Sequence, residues 1–149
     1  MKMNSVSIYL DDVRTPIDQR YIVVRNADEF MESVLKHKIE NINEIFLDHD
    51  LSTEHYVPER LWDNYEESKR YQENCVYDEK TGYDCAKWLI ELFRKDIQLP
   101  QVYTHSFNPV GADNIINIVN NAYKHFNSNL ICRRNVVPFT LNSPYPQND

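Results

Sequence analysis

Short apolar runs, each followed by polar side chains, recur along the chain. The runs at residues 6–10, 20–26, 45–47 and 102–104 are rich in residues that favour extended backbone, which predicts four buried strands. A further run at residues 130–137 predicts a last strand. Such strands, when they alternate with helices, are typical of a parallel sheet.

Three longer segments carry apolar residues at helical spacing, and each begins with a capping signal. An asparagine or a threonine precedes the first turn in all three, as helix N-termini prefer. The capping pairs are Asn26 with Glu29, Thr81 with Asp84, and Asn108 with Pro109. The apolar positions that follow reach residues 39, 93 and 126, which predicts one helix after each of the second, third and fourth strands.

This order of elements predicts an α/β fold in which helices cover both faces of a mainly parallel sheet. Residues 12–21 are too few for a crossover helix, so a tight loop containing Pro16 is expected there. Residues 51–80 carry eight acidic against four basic residues and little apolar periodicity, which indicates an insertion that acts as a lid or a partner surface. We expect one domain over residues 1–137 and an irregular tail over residues 138–149.

Five aromatic residues are spaced through the insertion. They either pack it onto the rest of the domain or stack on the base of a nucleotide. These residues are Tyr56, Trp62, Tyr65, Tyr71 and Tyr77.

Composition narrows the classes of function. A chain of 149 residues is one domain by length. It has only two glycines, which excludes the glycine-rich loops that bind dinucleotides or triphosphates. Its net charge of −7 argues against general binding to nucleic acid, because such binding requires clustered Lys and Arg.

The cysteines and the apolar runs indicate the compartment. Cys75, Cys85 and Cys132 form no CxxC pair, so neither a disulfide scaffold nor a structural zinc site is expected. The first apolar run is too short for a signal peptide, and no run approaches the roughly 20 residues of a membrane span. We therefore expect a cytoplasmic protein with no membrane partner. The sequence leaves its oligomeric state open.

Polar side chains cluster after three of the predicted strands. Asp11 and Asp12 follow the first strand, Asp48 and Asp50 flank a histidine after the third, and a second histidine follows the fourth. Because the carboxyl ends of parallel strands lie at one edge of the sheet, the clusters are expected to meet there. Four carboxylates in one place repel unless a cation lies among them, and such oxygen ligands suit Mg²⁺ or Mn²⁺. We favour this metal site over the alternative, in which each aspartate only caps the loop after its strand.

Five further residues are candidates for substrate binding or catalysis. His49 lies between two aspartates in extended backbone and is expected to point away from them, so it either packs in the interior or supports the ligand site. His105 precedes a helix N-terminus and either transfers a proton or makes a structural hydrogen bond. Arg14 either forms a salt bridge with the carboxylates or holds a phosphate oxygen. Ser106 and Asn108 mark a helix start whose backbone N–H groups are candidates for binding an anion.

Four motifs, in this order along the chain, resemble those of a known family. They are LDDVRTP, FLDHDLS, TGYDCAKWL and THSFNPVGADNI. Over roughly residues 6–126 they resemble the cyclic-phosphate processing receiver-like domain, a relative of response-regulator receiver domains. The resemblance implies a receiver-like (flavodoxin-like) fold that lacks its first crossover helix and carries an insertion after the third strand.

The resemblance also assigns roles to positions. Receiver domains hold Mg²⁺ with an acidic pair after the first strand and an aspartate after the third, and that aspartate accepts a phosphoryl group. These positions fall on Asp11, Asp12 and Asp48. The hydroxyl residue after the fourth strand falls on Thr104 or Ser106, and the receiver lysine after the fifth strand has no clear counterpart, with Arg133 and Arg134 nearest. The missing lysine and the missing helix argue against reversible signalling.

What the resemblance implies instead is a metal-dependent phosphoesterase that processes a cyclic phosphate in a nucleotide or at an RNA end, in a bacterial conflict or phage anti-defence setting. Its catalytic residues would be His105, Asp48 and Arg14; its substrate-binding residues Arg14, His49, Ser106 and Asn108; and its Mg²⁺ or Mn²⁺ ligands Asp11, Asp12, Asp48 and Asp50. In this hypothesis the histidine protonates the departing ribose oxygen. Two alternatives stay open, namely binding of a cyclic nucleotide signal without cleavage, and a phosphoreceiver domain.

Overall fold

The computed structural model describes residues 5–52, 61, 63–74 and 80–141. The strands in these residues are β1 (Val6–Leu10), β2 (Arg14–Pro16), β3 (Tyr21–Val24), β4 (Ile42–Leu47), β5 (Gln101–Thr104), β6 (Arg133–Arg134) and β7 (Phe139–Leu141). The helices are α1 (Ala27–His37), α2 (Tyr65–Asn74), α3 (Gly82–Ile90) and α4 (Pro109–His125), and a 3-10 turn (Ile39–Asn41) precedes β4.

Five strands form one parallel sheet in the order β3-β1-β4-β5-β6. This order confirms the predicted receiver-like, flavodoxin-like α/β fold. The chain moves from β1 to β3 on one side and then crosses back to β4 on the other, so the strand order reverses at β1. Leu10, Leu47 and Thr104 are aligned across the three central strands, and the residues after them therefore leave the sheet at one level.

The described helices of the core lie on one face of the sheet, whereas the sequence predicts helices on both. α3 packs against α1 and α4, and their apolar side chains form the main core with strand residues such as Ile8, Ile45 and Val102. The three connections that contain these helices all run in the direction of β6. Right-handed crossovers that run in one direction place their helices on one face. The connection in the other direction, from β1 to β3, has no helix, as the sequence predicts.

The opposite face of the sheet carries a smaller aromatic cluster. Tyr9, Tyr21 and Phe46 are buried there, with ring centroids 5.4 to 5.9 Å apart. Val137, in the segment between β6 and β7, packs against them. The irregular segment between β6 and β7 thus packs against this face of the sheet, where none of the described core helices lies.

β2 and β7 form an antiparallel ribbon that the local sequence pattern does not predict. Arg14 pairs with Leu141, and Pro16 pairs with Phe139. The prediction of an irregular tail is therefore wrong at residues 139–141, and the rest of that tail lies outside the described residues. A strand of three residues has no measurable periodicity, so only its distant partner defines it. Pro16 is compatible with this strand because, in the described part of the chain, the ribbon has only two strands and the proline nitrogen faces no third one.

All three predicted helix caps are present. The side chain of Asn26 accepts a hydrogen bond from the Glu29 amide, and Thr81 and Asp84 form a reciprocal capping box. The ends of two elements differ from the predicted ones. The predicted last strand at residues 130–137 is reduced to the two residues of β6, and the helix predicted to reach residue 93 ends at Ile90.

The insertion after β4 contains α2, which packs against α4. The hydroxyl of Tyr65 donates to Asp113 Oδ2 on α4 at 2.9 Å, and the buried Ser68 donates to the backbone oxygen of Leu61 at 2.6 Å. Tyr65 therefore attaches the insertion to the domain, which is one of the two roles predicted for its aromatic residues. Three of those residues, Tyr56, Trp62 and Tyr77, lie outside the described residues.

The two described cysteines are free and buried. Burial raises the pKa of the Cys85 and Cys132 thiols to about 12, so little reactive thiolate is present at pH 8. Cys75 lies outside the described residues. We expect a Cys75→Ser variant to react with no equivalent of a disulfide reagent while folded and with two after unfolding in guanidinium chloride, as measured by absorbance. Rapid labelling of the folded variant would contradict this burial.

Candidate active site

The carboxyl ends of β1, β4 and β5 bring three buried polar side chains together. Asp11, Asp48 and His105 each directly follow the last residue of a strand, and one ligand atom of each lies within 4.8 Å of those of the other two. All three side chains are almost completely buried. The structure thus brings these three strand ends together, as the sequence predicts.

Four hydrogen-bond donors surround the Asp11 carboxylate. Its Oδ1 accepts from the backbone N–H groups of Val13 at 2.9 Å and Arg14 at 2.8 Å. Its Oδ2 lies 2.9 Å from both Arg14 Nε and His105 Nε2. Burial favours the neutral form of this carboxyl, but the hydrogen bond from His105 and the charge of Arg14 outweigh burial and lower the pKa of Asp11 below its usual value. Asp11 is therefore ionised at neutral pH.

The Arg14 guanidinium lies between carboxylates and aromatic rings. Its Nη2 lies 3.6 Å from Asp48 Oδ1, and its Nη1 donates to the backbone oxygen of His105 at 2.9 Å. Its Cζ lies 4.5 Å from the ring centroid of Phe107 and 5.3 Å from that of Phe139. Arg14 therefore forms the salt bridge that the sequence leaves open as one alternative, and its contact with a phosphate stays a prediction.

The charge of Asp48 is less well compensated than that of Asp11. Among the described residues, the Asp48 carboxylate has a single ion-pair contact, the one to Arg14 at 3.6 Å. Burial raises the pKa of Asp48 well above its usual value, and the nearby charge of Asp11 adds to the shift. A cation bound near Asp48 would oppose both effects.

The His105 ring is fully buried between Asp11 and Tyr9. It stacks on Tyr9 with centroids 4.3 Å apart and an interplanar angle of 14°. Burial lowers the pKa of the imidazole despite the opposing charge of Asp11, so the ring is neutral at pH 7. Because the ionised Asp11 can only accept, Nε2 carries the proton, and Nδ1 has no hydrogen-bond partner within the described part of the chain. The structural hydrogen bond expected as one alternative for His105 is present.

A second polar cluster lies beside the first. His49 Nδ1 lies 2.8 Å from Asp50 Oδ1, and Asn108 Nδ2 donates to the same oxygen at 3.2 Å. Asn108 Oδ1 accepts from the Gly111 amide at 3.0 Å and so caps α4. The expectation that His49 points away from its neighbouring aspartates is wrong for Asp50, because β4 ends at Leu47 and strand alternation does not extend to these residues.

Both glycines of the chain contact the segment of Asp48 and His49. A Cβ on Gly82 would lie 1.8 Å from the backbone oxygen of Asp48, and a Cβ on Gly111 would lie 2.3 Å from Cγ of His49. The Gly82 amide also donates to the backbone oxygen of His49 at 2.8 Å. No side chain fits at either position, so the two helix starts can approach the acidic segment only because these residues are glycines.

Asp12 and Ser106 lie at the margin of the two clusters. Asp12 is half-buried, and its charge contributes to the raised pKa of Asp48 after the larger effects of burial and Asp11. Ser106 is buried in the turn before α4, where its Oγ accepts from the Asn108 amide at 3.1 Å. The backbone oxygen of Ser106 accepts from Arg134 Nη2 at 2.9 Å, so this arginine contacts the turn.

A cleft of about 590 Å³ opens beside Asp48. A volume of this size is typical of sites that bind small molecules. The cleft has both polar and apolar lining residues. The polar lining residues are Arg14, Asp48, Asp50, Ser68 and Asn108, and the apolar lining includes Phe107, Phe139 and Leu141.

The donor set of the first cluster could hold a metal ion. Asp11 and Asp48 supply two carboxylates whose ligand atoms lie within 4.8 Å of each other and of a His105 ring nitrogen, and Asp12 lies close enough to affect Asp48. Arg14 is the only cation that makes an ion pair with Asp48 among the described residues, so negative charge exceeds positive charge there. Buried oxygen ligands with an uncompensated charge fit a divalent cation.

The apolar lining residues of the cleft are not among the residues predicted from the sequence. Phe107 lies in a motif of mostly polar candidate residues. Its position between Ser106 and Asn108 is the one feature of the sequence that indicates it is near the site. Phe139 and Leu141 reach the cleft only through the pairing of β7 with β2. Nothing in the local pattern of the tail predicts that pairing.

A family model connects the chain with known proteins. The model described as the cyclic-phosphate processing receiver domain matches residues 6–121, a range that contains Asp11, Asp48 and His105. No curated protein and no solved structure matches the chain. In the described residues, none of the helices has both the length and the apolar character needed to cross a bilayer.

Proposed function

The chain belongs to the family of cyclic-phosphate processing receiver domains, and from this membership we propose that it is a metal-dependent phosphoesterase that opens a cyclic phosphate in a nucleotide or at an RNA end. One observation carries the proposal beyond the family. Asp48 is a buried carboxylate in the wall of a cleft, beside Asp11 and with incomplete charge compensation. The expected location is the cytoplasm, and the expected setting is bacterial conflict or phage anti-defence.

We assign the metal site to Asp11 and Asp48, with Asp12 and Asp50 as further oxygen ligands. Mg²⁺ or Mn²⁺ suits such a set. When bound, the ion would polarise a phosphoryl oxygen and lower the pKa of a bound water. The two central carboxylates are held at one level by strand register, which keeps their separation fixed.

Arg14 and the start of α4 would bind the phosphate. The guanidinium lines the cleft, and paired N–H groups of arginine suit phosphate oxygens. Asn108 lines the same cleft at the N-terminus of α4, where the helix dipole favours an anion. Both groups would offset negative charge that grows on phosphorus during hydrolysis.

We assign His105 a positioning role. Its buried ring donates to Asp11 and does not line the cleft, so it orients that carboxylate. The proton for the departing ribose oxygen has to come from a group that reaches the cleft. Ser106 supports the turn before α4, and His49 fixes Asp50.

Turnover tests the proposed function. We expect 2′,3′-cyclic nucleotides or cyclic oligonucleotides to be converted to phosphomonoester or linear products with Mg²⁺ or Mn²⁺ and not in EDTA, as followed by ³¹P NMR and chromatography. The physical reason is that Asp11 and Asp48 supply negative charge but no electrophile of their own. Absence of turnover with either metal, or turnover that EDTA does not change, would contradict the proposal.

A second candidate function is capture of a cyclic nucleotide signal without cleavage. The observation that favours it is the Asp11 carboxylate, whose two oxygens already have four donors. The apolar lining of the cleft also suits binding. Calorimetry that shows tight binding, with the ligand recovered intact, would select this candidate.

A further inference from the structure

Two large apolar side chains are exposed inside the cleft. Phe107 is 62% exposed and Leu141 is 65% exposed, and both line it. The ring of Phe139 lines the cleft beside them. Contact of such surface with water is unfavourable, and apolar surface in a concave site commonly marks where a ligand binds. We call these three residues the apolar wall.

The apolar wall adjoins the ionic part of the cleft at Arg14. The guanidinium carbon lies 4.5 Å from the Phe107 centroid and 5.3 Å from the Phe139 centroid. The same guanidinium contacts Asp11 and Asp48. A ligand that contacts both Arg14 and the apolar wall therefore combines an anionic group with an apolar or aromatic group.

We propose that the apolar wall binds the base of the ligand, so that the site takes cyclic phosphates of nucleotides and discriminates against cyclic phosphates that have no base. This inference rests on the proposed function, whose site it extends. Aromatic side chains such as Phe107 and Phe139 stack on bases with little dependence on the identity of the base, and an aliphatic side chain such as Leu141 adds apolar contact. A phosphate alone would leave most of the 590 Å³ cleft unfilled.

The wall is largely an addition to the matched domain. Phe139 and Leu141 lie in β7, beyond residues 6–121 that match the family, while Phe107 lies within them. The pairing of β7 with β2 places Leu141 opposite Arg14. The selection of a base is therefore supplied mostly by a segment that the family match does not cover.

Two ligands and a matched pair of variants test this inference. The ligands are 2′,3′-cyclic AMP and inositol 1,2-cyclic phosphate, which share a five-membered cyclic phosphate; the inositol compound carries a cyclohexane ring in place of ribose and has no base. The variants are Leu141→Ser in the wall and Ile131→Ser outside the cleft, since these two side chains are 65% and 67% exposed. Where the ligand is recovered intact, affinity is the Kd by calorimetry. Where it turns over, preference is the ratio of kcat/KM for the two ligands.

We expect the wild-type protein to prefer the nucleotide by about tenfold or more. Leu141→Ser should reduce this preference several-fold by weakening nucleotide binding alone, Phe107→Ala should reduce it about tenfold, and Ile131→Ser should leave it unchanged. Thermal unfolding of each variant checks that the fold is retained. Equal affinity of the wild-type protein for the two ligands, or an equal loss for both in the wall variants, would overturn the inference.

The outcomes also separate this inference from the proposed function. A preference for the nucleotide without turnover supports base binding by the apolar wall and contradicts the proposed phosphoesterase activity. Equal turnover of both ligands supports the phosphoesterase and contradicts the wall. Binding of neither ligand, with Mg²⁺ and with Mn²⁺, contradicts both.

Discussion

Replacement of Asp48 by asparagine is expected to lower turnover of a cyclic phosphate at least about 100-fold without loss of the fold. Asparagine has nearly the shape of aspartate but no charge, so the site would lose one of the two buried carboxylates that we propose as metal ligands. Loss of a single electrostatic contact to a reacting group typically costs about 10²–10³ in rate. The measurements are kcat/KM with Mg²⁺ and the affinity for Mg²⁺ by calorimetry.

Asp96→Asn is the matched control for this substitution. The Asp96 side chain is 75% exposed and pairs with Arg94 away from the cleft, so its loss should change kcat/KM less than about twofold. Full activity of the Asp48→Asn protein would show that Asp48 has no role in turnover. Modification of wild-type Asp48 by acetyl phosphate, with no turnover of any cyclic phosphate, would instead identify a phosphoreceiver.

The same variant should be more stable than the wild-type protein near pH 7 in EDTA. Burial raises the pKa of Asp48 in the folded protein, and the charge of Asp11 adds to this effect. The folded state therefore binds the proton more tightly than the unfolded state, whose aspartates have a pKa of about 3.9. Stability is lost as the pH rises from that value towards the folded pKa. The gain from asparagine should vanish below pH 4, as measured by unfolding in urea across pH.

Replacement of Gly82 by alanine is expected to destabilise the protein by about 3 kcal/mol or more. The added Cβ would lie 1.8 Å from the Asp48 backbone oxygen and 2.9 Å from the His49 Cα. Both contacts are with backbone, so no rotation of a side chain relieves them, and overpacking of this kind costs about 1–3 kcal/mol or more. Alanine favours helix over glycine by about 1 kcal/mol, which is too little to compensate. Urea unfolding measures the loss.

Two further variants serve as controls for the Gly82→Ala measurement. Lys87→Ala in the same helix is exposed and should change stability by no more than about 1 kcal/mol. Gly111→Ala should be less damaging than Gly82→Ala, because its Cβ meets the His49 side chain rather than backbone. A Gly82→Ala protein as stable as the wild type would show that α3 does not approach the acidic segment as closely as described.

The central part of the site follows from the sequence. Asp11, Asp48 and His105 each end a short apolar run, and parallel strands place such ends at one edge. The helix caps at Asn26 and Thr81 are equally local, because capping depends on residues three positions apart. These features need no knowledge of distant contacts.

Other features depend on contacts between distant parts of the chain. The one-sided helix layer follows from the direction of each crossover, which local periodicity does not contain. β7 is a strand only because β2 lies beside it. Gly82 gives no sign in the sequence that a carbonyl oxygen lies where its Cβ would be. The engagement of Asp50 by His49 follows from the bend after β4, where alternation no longer applies.

The ribbon of β2 and β7 has a consequence for how relatives could diverge. It joins Arg14, inside the matched range, to Leu141, outside it. Changes in β7 can therefore alter the apolar lining of the cleft while the carboxylates at the sheet edge keep their geometry. Under the proposed role of the apolar wall, exchange of β7 is expected to change which ligand the cleft binds, in evolution or by design, while the proposed metal site is retained.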